Sequence, residues 1–148
     1  MNNVVAFRGM NAASAAHLGQ AHNLLQELFR DVASQIPILI MDAQRGKAAQ
    51  EDAFRRKATK VHFPNSAHNW VPSVALDVAP LPLVWTDRKA FRHLIVDIVQ
   101  PTAKRLKIPI RCGIDFNMNG VLTDDKFVDL PHVELYPWRN FATKQIGA

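Results

Sequence analysis

An α+β domain, with helices packed on a small antiparallel sheet, is the fold class this sequence predicts, and three observations carry the expectation. Apolar residues recur at three- and four-residue spacing over 14–32 and again over 91–106, which gives each stretch one greasy helical face. Short segments of strand length stand at 36–41, which is β-branched, at 108–116, and at 132–136, which alternates. The chain has 148 residues, inside the range of one domain and long enough to bury a core, so a single unit over 1–148 is expected.

The elements follow in order. Leu18, Ala21, Leu25, Leu28 and Val32 line one face of a first helix, and Ser14 stands where an N-cap is needed. Residues 36–41 make a buried strand, with Pro37 tolerated at its start. Residues 46–60 are rich in helix formers, and Ala49, Ala53 and Phe54 supply a buried side. Pro64, Asn65 and Pro72 then break 61–76 into an ordered loop around a short strand ending near Asp77. Alternating prolines make 79–83 an extended connector. Thr86 or Asp87 caps a third helix on which Phe91, Leu94, Ile95, Ile98 and Leu106 share a face, and Pro101 should kink or divide it. A second core strand spans 108–116, and 117–120 is a turn in which Gly120 can supply a positive φ. In the segment 128–136, which begins at Val128, alternation predicts a strand from His132 onward.

Composition narrows the function. The formal charge is +5 and the pI about 9.7, which favours polyanionic partners. The clusters Arg55-Arg56-Lys57 and Lys104-Arg105-Lys107 carry no interleaved aromatics, so they read as solvated helix faces and no nucleic-acid partner is expected. No apolar run approaches the roughly 20 residues of a membrane-spanning helix, and the N-terminal residues lack the pattern of a secretory signal. Cys112 is the single cysteine, which excludes an internal disulfide and any thiolate-rich zinc site. It lies in an apolar stretch and reads as a buried, inert thiol.

A metal must therefore be held by histidine and carboxylate. Of six histidines, His17, His22 and His93 sit on predicted helices without an acid at ligand spacing, and His62 alternates as a strand residue outside the site. His68 and Asp77 both stand beside chain breakers, and Asp77 is flanked by apolar residues among which a bare charge is costly. Asp129-Leu-Pro-His132 sets a carboxylate three residues before a histidine, with proline fixing the chain between them. Two histidines and a carboxylate leave a zinc coordination position open for water, and a spare carboxylate can act as base. The same triad suits non-haem iron, but the close His-x-Asp pair and the run of short barrel strands that accompany it are missing. A closed structural zinc site would need a fourth ligand, for which His62 or Glu134 could serve; Glu134 shares the face of His132 only if the strand begins there.

Ser66-Ala-His68 leading to Ala75-Leu-Asp77, then Gly113-Ile-Asp115-Phe and Asp129-Leu-Pro-His132-Val-Glu-Leu135, resemble the M15 metallopeptidases. Within that group the likeness is to bacteriophage endolysins of the L-alanyl-D-glutamate peptidase type, relatives of the D-alanyl-D-alanine carboxypeptidases. It covers most of the chain, from about the first helix to Leu135. The resemblance implies an M15- or hedgehog-like fold around a zinc cleft, with Zn2+ on His68, Asp77 and His132 and with Asp129 as catalytic base. It also implies a substrate contact for Arg45, in Asp42-Ala-Gln-Arg45 where the family usually has Gly-Tyr-Arg, through charge-assisted hydrogen bonds to a carboxylate or oxyanion. The family's Ser-x-His-x-x-Gly-x-Ala-x-Asp departs here: the glycine is absent and Asn69-Trp-Val-Pro-Ser-Val intervenes, lengthening the spacing. Trp70 in this longer loop either lines the cleft as a substrate contact or packs as a partly buried aromatic.

The expected function is that of an endolysin cutting the L-Ala–D-Glu bond of the cell-wall stem peptide. It would be a monomeric catalytic domain without a separate wall-binding module, made in the host cytoplasm and let out by a holin. The alternatives are a D-Ala-D-Ala carboxypeptidase on the same scaffold, and a non-catalytic basic module that keeps zinc for structure.

Overall fold

The computed structural model describes residues 9–120 and 129–147. The N-terminal segment read for a signal and the first residue of the 128–136 segment, Val128, lie outside them.

The long apolar stripe at the start forms two helices, α1 (Ala12–Gly19) and α2 (Asn23–Gln35), where the sequence predicts one. The break is closed by tertiary hydrogen bonds: Ser73 N–H donates to the Gln20 carbonyl at 2.9 Å, and His22 N–H donates to the Ser73 carbonyl at 2.8 Å. His22 then caps α2, its Nδ1 accepting from Leu24 N–H at 3.0 Å. The expected cap of the first helix moves as well. Asn11 accepts the N–H of Ser14 at 2.8 Å, while the Ser14 hydroxyl accepts from Ile40 N–H at 3.0 Å and ties the helix to the sheet.

Strand β1 (Ile38–Asp42) leads into α3 (Lys47–Arg55), shorter than the predicted 46–60 and capped at Gly46. A 3-10 turn (Ala67–Asn69) precedes β2 (Trp70–Val71) and β3 (Ala75–Pro80). Strand β3 therefore runs through Asp77 instead of ending there, and takes in two residues of the expected connector. Proline is admitted at its end because β5 has stopped by then: β3 pairs with β5 only over 75–77, and Pro80 faces Ile38 of β1 alone.

Asp87 caps α4 (Arg88–Arg92) by accepting Ala90 N–H at 3.1 Å. The helix widens to π winding over His93–Val99 and returns to α winding in α5 (Gln100–Leu106). The change of winding lies beside Pro101, which has no N–H to give to the turn before it. Strand β4 (Ile110–Cys112) is shorter than the predicted 108–116. It hands over to a turn in which Gly120 has φ +80° and donates its N–H to Asp115 Oδ2 at 2.8 Å. Strand β5 (His132–Leu135) begins at the predicted histidine, and β6 (Lys144–Gln145) pairs with β2.

The main sheet is antiparallel throughout, in the order β1-β3-β5-β4. Alternation splits it into two faces. Leu76, Val78, Val133 and Leu135 are fully buried in the core cluster shared with Leu25, Leu28, Phe29 and Val32 of α2 and with Leu94, Ile95 and Val99. On the other parity, Asp77 stands opposite His132, and Arg111 opposite Glu134. A bulge between Ile40 and Asp42 brings Asp42 opposite Asp77 as well. One row of the sheet thus presents Asp42, Asp77 and His132 together.

Candidate active site

A cleft of about 460 Å³ opens over this polar row, with Arg45, His68, Asp129, His132, Glu134 and Trp138 among its lining. His68 and His132 line it and, with Asp77 beside them, form a cluster whose ligand atoms all lie within 4.8 Å of one another. His68 Nε2 is 3.3 Å from His132 Nδ1 and 3.4 Å from Asp77 Oδ1, and His132 Nδ1 is 3.6 Å from the same oxygen.

Each member is held differently. His132 and Asp77 are cross-strand partners, so sheet register alone brings them together. His68 comes from the 3-10 turn, where Ser66 and Asn69 form a reciprocal capping box. His68 Nδ1 donates to the Ala43 carbonyl at 2.8 Å, which turns the Nε2 lone pair toward the cluster. Asn69 reinforces the turn by donating to the Arg45 carbonyl at 2.8 Å and to Gln50 Oε1 at 3.2 Å. The longer stretch between His68 and Asp77 is absorbed outside the cluster: Trp70 and Val71 leave to pair with β6, and the Ser73 hydroxyl brings the chain back by donating to the Ala43 carbonyl at 2.8 Å.

Asp129 reaches the cleft on a tight turn clamped by Gly113. Gly113 N–H donates to the His132 carbonyl at 2.8 Å, and Asp129 N–H donates to the Gly113 carbonyl at 2.9 Å. A Cβ on Gly113 would lie 2.1 Å from the Asp129 carbonyl oxygen, so only glycine permits this approach.

The electrostatics follow from crowding. Burial by itself would raise Asp77, but the imidazoles of His68 and His132 outweigh it and hold the carboxyl far below the usual range. Burial would lower His132, yet Asp77 and Glu134 together push it up to about 10. Asp129 moves the other way, raised by burial and by the neighbouring Asp77 charge against the partial relief of His132, His68 and Arg45. Two carboxyls and two imidazoles are thus gathered in one place, and their charges act on one another.

One observation tests whether a metal fits there. Asp77 Oδ1, the oxygen that faces both imidazoles, is buried and makes no formed hydrogen bond, the imidazole nitrogens standing off at 3.4 and 3.6 Å, a gap that a metal ligand bond would fill. The donor set of two imidazole nitrogens and one carboxylate oxygen is that of an open zinc site.

The remaining sequence-predicted residues fall as follows. Arg45 lines the cleft but is strongly tethered: it donates to Asp42 Oδ2 from Nε at 3.1 Å and Nη2 at 2.9 Å, to Gln50 Oε1 at 3.2 Å and to Asp77 Oδ2 at 3.4 Å. Trp70 is not among the lining residues; its ring packs 6.0 Å from that of Trp138, and Trp138 forms the wall. His62 is exposed and pairs with Glu51 at 2.8 Å, away from the cluster. Glu134 shares the face of His132 after all, but meets its outer nitrogen, Nε2 to Oε1 at 2.7 Å, instead of joining the cluster. Arg111, Gln50 and Asn69 were not singled out from the sequence. For Arg111 the signal was available in the pairing of β4 with β5, whereas Gln50 and Asn69 act through loop contacts that no spacing announces.

An antiparallel sheet that gathers two imidazoles and a carboxylate able to hold a metal ion at a polar cleft, with a further carboxyl in the cleft wall, defines an α+β domain with a candidate metal centre. The chain belongs to the phage L-alanyl-D-glutamate peptidase family, a family of peptidoglycan peptidases, whose model matches residues 5–136. Its fold is similar to the crystal structure of the Serratia marcescens L-Ala D-Glu endopeptidase ChiX, with a TM-score of 0.68 at 20% identity over 89% of this chain and 92% of that one. A search of curated proteins found no match.

Proposed function

We propose that this protein is a zinc-dependent endolysin that hydrolyses the bond between L-alanine and D-glutamate in the peptidoglycan stem peptide. The observation that carries the zinc reading is the orphaned Asp77 oxygen set between two imidazoles. His68, Asp77 and His132 would hold the ion. Bound there, zinc supplies a Lewis acid that lowers the pKa of water toward about 7 and polarises the scissile carbonyl.

The chain's own groups do the rest. Asp129 takes the proton of the attacking water and passes it to the leaving amine of D-glutamate; a carboxyl raised by burial is the stronger base once ionised. Arg45 fixes Asp77 and presents positive charge to the cleft, where carbonyl oxygen becomes oxyanion. Trp138, with Trp70 packed on it, walls the cleft. The net charge of +5 favours an anionic envelope, in keeping with a monomer that reaches the periplasmic wall from the host cytoplasm after holin-type release. Among the described residues no helix is long and apolar enough to cross a membrane.

The test is digestion of purified peptidoglycan with and without a chelator and zinc add-back, read by mass spectrometry. A chelator-sensitive new N-terminal D-glutamate is the expected product, whereas free D-alanine as the sole product would replace the endopeptidase with a carboxypeptidase. The Asp129→Ala variant should bind zinc as the parent does and lose hydrolysis by at least about 100-fold, the lower range for a general base; retained hydrolysis removes Asp129 from its role.

A further inference from the structure

The hydrogen bond on the outer nitrogen of His132 leads beyond the three ligands and the base. We propose that Glu134, held by Arg111, is a positioning residue for the metal centre: it keeps the Nε2 proton on His132 and so directs the Nδ1 lone pair at the cluster. The inference rests on the zinc reading given above.

Glu134 Oε1 lies 2.7 Å from His132 Nε2. An ionised carboxylate can only accept, so the proton sits on Nε2, and Nδ1, 3.6 Å from Asp77 Oδ1, is the atom left to bind metal. His68 has the opposite arrangement, with Nδ1 donating to the Ala43 carbonyl and Nε2 facing inward. The two imidazoles are thus fixed in opposite tautomers by two acceptors of different strength. A carboxylate behind a metal-bound histidine also makes the ring a better donor than a carbonyl does.

Glu134 is only 4% exposed, and a buried carboxylate needs a second partner. Arg111 provides it, donating to Oε2 from Nε at 3.1 Å and from Nη2 at 2.8 Å, which leaves Oε1 to His132. The guanidinium is in turn kept in place by the rings of Phe116 and Tyr136, at 5.4 and 5.0 Å from their centroids. Register explains why the relay is available. Arg111 faces Glu134 across β4 and β5, and Glu134 follows His132 by two residues on one side of the sheet, so the alternation that points the ligand into the cleft also points its orienting carboxylate there.

Two measurements on the full chain test this. Long-range proton–nitrogen spectra of the zinc-loaded parent protein should show His132 protonated at Nε2 and metal-bound at Nδ1; a proton on Nδ1, or zinc on Nε2, overturns the proposal without any variant. Competition with a chromogenic chelator should then show zinc held about 10- to 100-fold more weakly by Glu134→Gln, the usual cost of losing such a partner, with hydrolysis recovering when zinc is raised to saturate the variant. Arg111→Gln should weaken zinc less and in the same direction. A purely structural role would lower stability without zinc rescue, and zinc affinity within twofold of the parent in a folded Glu134→Gln protein overturns the proposal. If the parent itself takes up no zinc at His68, Asp77 and His132, the metallopeptidase reading fails first; if it does and Glu134 makes no difference, only the positioning role fails.

Discussion

The two halves of the cluster are built by different means. Asp77 and His132 sit opposite each other on adjacent strands, so backbone hydrogen bonds common to every antiparallel pair deliver them. His68 rides on a 3-10 turn whose position depends on Ser66, Asn69, Gln50 and the carbonyls of Ala43 and Arg45, a buried polar network with no repeating pattern behind it. The sheet half is set by register and tolerates side-chain change around it. The loop half is set by individual hydrogen bonds, each of which can be lost.

The largest effect should come from removing a proposed ligand from either half. His132→Ala and His68→Ala should both lose stoichiometric zinc in dialysis against trace metal and lose wall hydrolysis to background. Equal loss from both would show that the two halves meet at one ion, while zinc retained by either would separate them. Next comes Gly113→Ala, which attacks the turn on the sheet side. With backbone 2.1 Å from the new Cβ, the chain must shift where it carries Asp129, and hydrolysis should fall about 100-fold, as expected for a misplacement near 1 Å, with zinc content unchanged. Asn69→Ala then probes the loop half. It strips partners from Ser66 N–H and from the Arg45 carbonyl, both covered by the turn, and should cost about 1–3 kcal/mol in urea unfolding while a comparable exposed substitution costs less than about 0.5.

A smaller effect separates charge from position. The Asp129 carboxyl is raised in the folded chain, by burial first and then by Asp77, so the folded state holds its proton more tightly than the unfolded chain does. The stability it lends is present below the unfolded pKa and lost as pH rises through the folded one. In chelator-treated protein, Asp129→Asn should therefore raise the melting temperature at neutral pH by about 2–4 °C for each kcal/mol relieved. The gain should vanish in acid, where the native carboxyl is protonated too. The least perturbing probe is Cys112, buried and pushed up to about 12: a thiol reagent at neutral pH should label it only as fast as the chain unfolds.

The same contrast explains what the sequence made legible. Alternation announced β5 and the start of that strand at His132, because a strand writes its faces into every second residue. It failed on the first helix, where Leu18, Ala21 and Leu25 keep helical spacing across a break that only the distant Ser73 closes. Pro80 misled for a related reason: whether a strand can admit proline depends on its neighbours, and β5 has already ended. Trp70 and Trp138 illustrate the limit for the cleft itself. Both are aromatic beside the site in sequence or in space, and only the pairing of β2 with β6 decides which one forms the wall. The motif residues His68, Asp77, Asp129 and His132, singled out from the sequence, are brought together by the fold; the groups that hold them in place act across folds of chain that no local pattern spans.

The bulge in β1 has a further consequence. Ile38 and Ile40 belong to the core, and by strict alternation Asp42 would follow them there as a carboxylate among hydrocarbons. One additional residue between Ile40 and Asp42 shifts the strand by half a period, as a phase slip does in a wave. Residues of the same parity then serve the hydrophobic interior at one end of the strand and the polar row beside the cleft at the other, so a single strand supports both without a change of direction.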